Sequence, residues 1–130
     1  MVELGNTIVS KLGWSADDVS FHVYDVEDPM GKPLNSLLDY AGHGAKMYDI
    51  ITMFSLNMWI KDPLRVAAWA IEHSRLFIIE TNGSVHVQQQ SISLLRRDCA
   101  RLEEKTNTMI CADCGDRRLW VCTTGSLPCV

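Results

Sequence analysis

The sequence predicts an α+β fold: a small antiparallel sheet of three to five strands, arranged as two hairpins and packed against four to five helices. Three observations carry that prediction. Strand-like segments come in pairs late in the chain, the helices between them differ in length, and Asn82-Gly83 has the chemistry of a tight hairpin turn. A regular parallel α/β sheet would alternate strand and helix more evenly. The 130 residues suit one domain, with residues 108–130 forming a hairpin module at its end.

Each element has its own signal. Leu4, Ile8 and Leu12 recur at helical spacing and predict a helix over 3–12, closed by Gly13. From 19 to 26 the period falls to two: Val19, Phe21 and Val23 alternate with Ser20, His22 and Tyr24, which predicts a half-buried strand. Residues 33–41 read as a short helix and 45–60 as a longer one. Met47, Ile50, Ile51, Phe54 and Met58 form the longer helix's apolar stripe, and Met53, Leu56 and Ile60 spread it to neighbouring faces. A helix apolar on most sides is either central to a core or part of an interface.

Asp62 as N-cap and Pro63 at the first helical position then start another helix, whose Leu64, Ala67, Ala68 and Ile71 give it a small-residue face. Residues 76–80 and 84–88 read as the arms of the hairpin around Asn82-Gly83. An amphipathic helix over 91–105 follows, with Ile92, Leu95, Cys99 and Leu102 as its seam. Residues 108–112 and 119–123 close the chain as a second hairpin.

The cysteines suggest a metal. Cys111 and Cys114 have zinc-knuckle spacing, Cys122 falls on the returning strand, and Cys129 lies seven residues further on. Four soft ligands can close a tetrahedral zinc site and stabilise a segment too short to bury much by itself. The second half of this pattern is irregular, because a paired knuckle would repeat the C-x2-C spacing. The alternative is that Cys111 and Cys122 are cross-strand apolar neighbours. A redox C-x-x-C is disfavoured, since Gly115-Asp116 and a strand, not a helix start, follow Cys114.

The balance of 12 basic and 16 acidic residues, net −4, works against generic nucleic-acid binding. The one basic concentration is Arg96, Arg97, Arg101, Lys105, Arg117 and Arg118, and acids are interleaved with it; a salt-bridged solvent face is the stronger reading. His43 between two glycines, near Asp39, could present an imidazole to a ligand, but glycines are ordinary in a polar turn. The sequence contains no Walker loop, dinucleotide fingerprint, H-E-x-x-H or nucleophile elbow.

Six methionines and four tryptophans are many for this length, and deformable thioethers and large aromatics favour surfaces that grip proteins. The leading expectation is therefore a small regulatory or adaptor protein that binds another protein through Met47, Met53, Phe54, Met58 and Trp59, stabilised by zinc, with a homo-oligomer as one form of it. Virus- or phage-encoded modulators of a host factor share this profile. The alternatives are a zinc-containing nucleic-acid binder using Arg96, Arg97, Arg101, Arg117 and Arg118, and a small enzyme using His43 with Asp39 or a cysteine thiolate. The start of the chain lacks a secretory pattern, and five cysteines are an odd number, so reduced thiols in a cytoplasmic or nuclear setting away from membranes are expected.

Overall fold

The computed structural model describes residues 2–15, 17, 19–22, 24–27, 34–41, 44, 46–54, 56, 59–82, 84–105 and 117–125. Within them lie three α-helices, α1 (Val2–Lys11), α2 (Pro63–Glu72) and α3 (Val85–Asp98), and a 3-10 helix (Leu34–Ala41). The strands β1 (Tyr48–Met53), β2 (Ser74–Thr81), β3 (Arg101–Glu104) and β4 (Arg118–Thr123) form one sheet in the order β1-β2-β4-β3. The class is α+β, as expected, but the sheet is mixed. β1 runs parallel to β2 with α2 as the crossover, and β4 runs antiparallel to both β2 and β3.

The largest correction concerns residues 45–60. Their centre is strand β1, not a helix. Ile50, Ile51 and Thr52 are β-branched and stiff at χ1, which suits a pleated surface better than a helical turn. Pairing with β2 places Ile51 opposite Phe77 and Met53 opposite Ile79, on the face that meets the helices. A short apolar run can be read at either period, and here tertiary pairing decides it.

The predicted hairpin around Asn82-Gly83 is also replaced. β2 ends at Thr81, and Ser84 caps α3 by accepting a hydrogen bond from the Val87 N–H at 3.4 Å. Residues 84–88, expected as a strand, therefore begin a helix; Gln88, Gln89 and Gln90 favour that state. The helix expected over 91–105 begins earlier and ends at Asp98, and its last stretch becomes β3.

The described part of 19–26 forms no strand. Phe21 instead lies against Gly5 of α1, so close that a Cβ there would stand 2.7 Å from the ring. Of the second predicted hairpin, residues 108–112 lie outside the described residues. Its returning arm is present as β4, paired with β2 and β3.

One sheet face carries the core. Phe77, Ile79, Trp120, Cys122 and Met53 pack with Val66, Ala67, Ala70 and Ile71 of α2 and with Leu94 and Leu95 of α3. Ala67 and Ala70 are small enough to let α2 lie close on β2; Ala67 belongs to the small-residue face read from sequence, Ala70 does not. Burying a side chain such as Phe77 or Ile79 contributes about 1.5–3 kcal/mol.

Several polar groups in this layer are matched, while the buried Asn82 Oδ1 has no hydrogen-bond partner among the described residues. The Trp120 indole N–H donates to Thr81 Oγ1 (3.1 Å), the Thr81 hydroxyl to the Arg118 carbonyl (3.4 Å), and the Ser74 hydroxyl to the Ala70 carbonyl (2.6 Å). A disulfide joins Cys99, at the end of α3, to Cys122 on β4. Cross-linking residues 23 apart in sequence removes unfolded-state entropy; for a loop of this size the chain-entropy estimate is about 3 kcal/mol.

Candidate docking edge

β1 forms one edge of the sheet, and its inner side is fully engaged with β2. The Tyr48 N–H donates to the His73 carbonyl at 2.8 Å, and Tyr48 pairs with Ser74. In a parallel ladder successive residues turn their backbone groups to opposite sides. Asp49, Ile51 and Met53 therefore direct N–H and C=O away from β2. Among the described residues no backbone hydrogen bond is made on that outer side.

Large apolar side chains flank this open backbone. Met47 is 44% exposed, Ile50 55%, Phe54 53% and Trp59 76%. Beside Ile50, Leu76 of β2 continues the same face, half-buried. Asp49 carries the only charge on the strand, and Arg75 stands 3.7 Å away. The start of β1 is pinned by the Tyr48 hydroxyl, which donates to the Leu37 carbonyl of the 3-10 helix. Burial, followed by the neighbouring Tyr40 and Asp39, raises the Tyr48 pKa above the ordinary phenol value.

The partner-binding residues expected from sequence thus divide. Met47, Phe54 and Trp59 are exposed around β1, and Met53 is sealed in the core at 4% exposure. Met58 lies outside the described residues. Sequence reasoning missed Ile50 as an exposed residue of an open edge, although the Ile50-Ile51-Thr52 run carried the strand signal.

The other predicted sites fare differently. Cys122 is committed to the disulfide with Cys99 and is fully buried, so the expected set of four zinc thiolates loses that member. Cys111, Cys114 and Cys129 lie outside the described residues, as does His43. Among the described residues no group of three or more His, Cys, Asp or Glu side chains is placed to hold a metal ion.

The arginines of the predicted basic stripe are interleaved with acids in space as in sequence. Arg97 meets Asp98 at 2.7 Å, Arg101 meets Glu103 at 2.5 Å, Arg117 meets Glu80 at 3.2 Å and Arg118 meets Glu104 at 4.0 Å. Lys105 adds a second cation to Glu103 at 2.7 Å. Hydrogen bonding to Lys105, with the charges of Arg101 and Lys105, holds the Glu103 carboxyl below the ordinary glutamate range. Arg96 is exposed on α3.

A cleft of about 690 Å³ runs between α2 and α3, with Arg65, Ala68, His86, Gln89, Ser93 and Arg97 on its walls. Its two arginines already have partners. Arg65 donates to the Val26 carbonyl at 2.6 Å and faces Asp62, and Arg97 takes both carboxylate oxygens of Asp98. The cleft therefore offers an anion little unspent charge.

No protein-family model, no curated protein and no solved structure matches this chain.

Proposed function

We propose that the chain is a small regulatory or adaptor-type protein that acts by binding another protein, and that the outer edge of β1 is where the partner docks. The observation that carries this reading is that, among the described residues, the outward backbone groups of Asp49, Ile51 and Met53 make no backbone hydrogen bond, beside the exposed side chains of Met47, Ile50, Phe54 and Trp59. An extended segment added to such an edge gains main-chain hydrogen bonds, and alternate side chains supply specificity. Natural edge strands are usually shortened, charged or covered to prevent that pairing. Nucleic-acid binding through Arg97, Arg101, Arg117 and Arg118 has less support, because each already faces a carboxylate. The docking reading does not draw on zinc: Cys122 is held in a disulfide, and Cys111, Cys114 and Cys129 lie outside the described residues.

Hydrogen exchange on the chain alone and in its complex tests the docking edge. Binding at β1 slows exchange of the Asp49, Ile51 and Met53 amides, and Ile50→Lys abolishes both the slowing and the complex. A complex that forms while those amides exchange at the free rate places the docking surface elsewhere.

A further inference from the structure

We propose that the Cys99–Cys122 disulfide is a redox-sensitive latch on β3, opened by a dithiol that enters at Cys99 alone. The proposal is independent of the docking edge, which lies at the other end of the sheet.

The two sulfurs sit in unequal surroundings. Cys99 caps the C-terminal end of α3, where its N–H donates to the Leu95 carbonyl at 2.9 Å, and it is half-buried. Cys122 is wholly buried on β4, paired with Phe77 of β2 on one side and Leu102 of β3 on the other. Residues directly opposite each other in an antiparallel pair turn their side chains to the same face. Leu102 therefore flanks Cys122 on the core side, and it is itself partly exposed. A thiolate can reach Cys99 from solvent, and Cys122 offers it no surface.

Exchange at Cys99 runs in two balanced steps. One thiolate of the dithiol attacks Cys99 Sγ, the S–S bond breaks, and its electron pair leaves with Cys122, which takes a proton from water. The dithiol's second thiolate then displaces Cys99 from the mixed disulfide, and Cys99 is protonated in turn. The dithiol ends as a disulfide, and two electrons have passed to the protein. The first step has a poor leaving group, because apolar surroundings disfavour a thiolate and exchange slows as the leaving thiol's pKa rises.

Water must therefore reach Cys122 before the bond breaks, and β3 controls that access. It is four residues long, stands at the end of the sheet, and among the described residues pairs with β4 alone. Lifting it uncovers Cys122 and leaves the β1-β2 ladder and α2 in place. Local openings of this kind need less free energy than global unfolding. Once the bond is reduced, β3 keeps its ladder to β4 but loses the covalent tie just before its start, and it opens more often.

Reduction of the full chain by dithiothreitol in native buffer, quenched by alkylation, tests the latch. Peptide mapping reads Cys99 and Cys122 apart from Cys111, Cys114 and Cys129. The rate should depend on urea far more weakly than global unfolding does. With the monothiol glutathione, the mixed disulfide should be found on Cys99. Leu102→Ala should speed reduction about tenfold by easing the opening, and Ile50→Ala on β1 should leave the rate unchanged. In the reduced chain the amides of Arg101–Glu104 should exchange faster, with those of β1 unaffected. A rate that follows global unfolding, glutathione on Cys122, or indifference to Leu102→Ala overturns the proposal. So does a map of the oxidised chain that lacks the Cys99–Cys122 bond.

Discussion

The two edges of the sheet are built by opposite rules. β3 is four residues long, and three of them, Arg101, Glu103 and Glu104, are charged; Lys105 follows directly. These groups bridge to one another and across to Arg118 on β4. β1 is six residues long, has one charge, and exposes Ile50 with Met47 and Phe54 at its ends. Short, charged edges resist pairing with other chains, and longer apolar ones invite it. Among the described residues one edge is charged and short and the other is apolar and open, and the proposed docking edge rests on that contrast.

The comparison is broken most completely by removing what both edges hang from. Phe77 sits on β2, paired with Ile51 on one side and Cys122 on the other, and is wholly buried. Phe77→Ala is expected to cost about 3–5 kcal/mol, as large aromatic deletions do. Denaturant unfolding measures it. A loss under about 1 kcal/mol, the range of a surface change, would show that the core is not centred on this strand.

Next in size is the disulfide. Replacing Cys99 and Cys122 together by alanine removes the link between the end of α3 and β4. The expected loss is about 3 kcal/mol, with wide scatter in measured cases. Exchange should accelerate more in β3 and β4 than at β1, whose pairing with β2 and crossover α2 lie on the other side of the sheet. Equal acceleration at both edges would mean that the cross-link supports the sheet as one unit. Mass measurement with and without reductant establishes the bond directly.

How much of this was legible beforehand depends on whether a signal was local. Asp62-Pro63 announced α2, and the structure has Asp62 Oδ1 accepting from the Arg65 N–H at 3.1 Å, as a cap must. Leu76 to Glu80 and residues 119–123 were read as strands and are strands. The interleaving of arginines with acids predicted ion pairs, and ion pairs are present. Where two local signals competed, the wrong one was favoured: Asn82-Gly83 suggested a turn, but the Ser84 cap and the run of glutamines made a helix start.

What could not be read was non-local. β1 owes its state to β2, which begins 26 positions after β1 begins and pairs with it only through the α2 crossover. The same holds for the candidate site. Met47, Phe54 and Trp59 stand out in sequence by composition; in the proposal they count because, among the described residues, the outer backbone of β1 makes no hydrogen bond. Cys99 was placed in a helix seam with no hint that Cys122, 23 residues on, would meet it.

The smallest effect separates the edges by pH. Glu103's carboxyl is held below its ordinary pKa by Lys105 and Arg101, so its ionised form is favoured by the fold. A carboxylate whose folded pKa is depressed contributes stability that is fully present above its unfolded pKa and is lost as pH falls through the folded one. The side chain is 33% exposed, so water and salt screen the contribution and the change in global stability is slight. The local change is clearer. Titrating the side-chain carboxyl by NMR should give Glu103 a midpoint below that of an unpaired glutamate, and exchange at the β3 amides should quicken as that midpoint is crossed. β1 has one ion pair, Asp49 with Arg75 at 3.7 Å, and both side chains are exposed, so its amides should show no comparable step in the same interval. A step at β1, or an ordinary midpoint at Glu103, would remove the electrostatic distinction between the edges and leave only the difference in length and apolar surface.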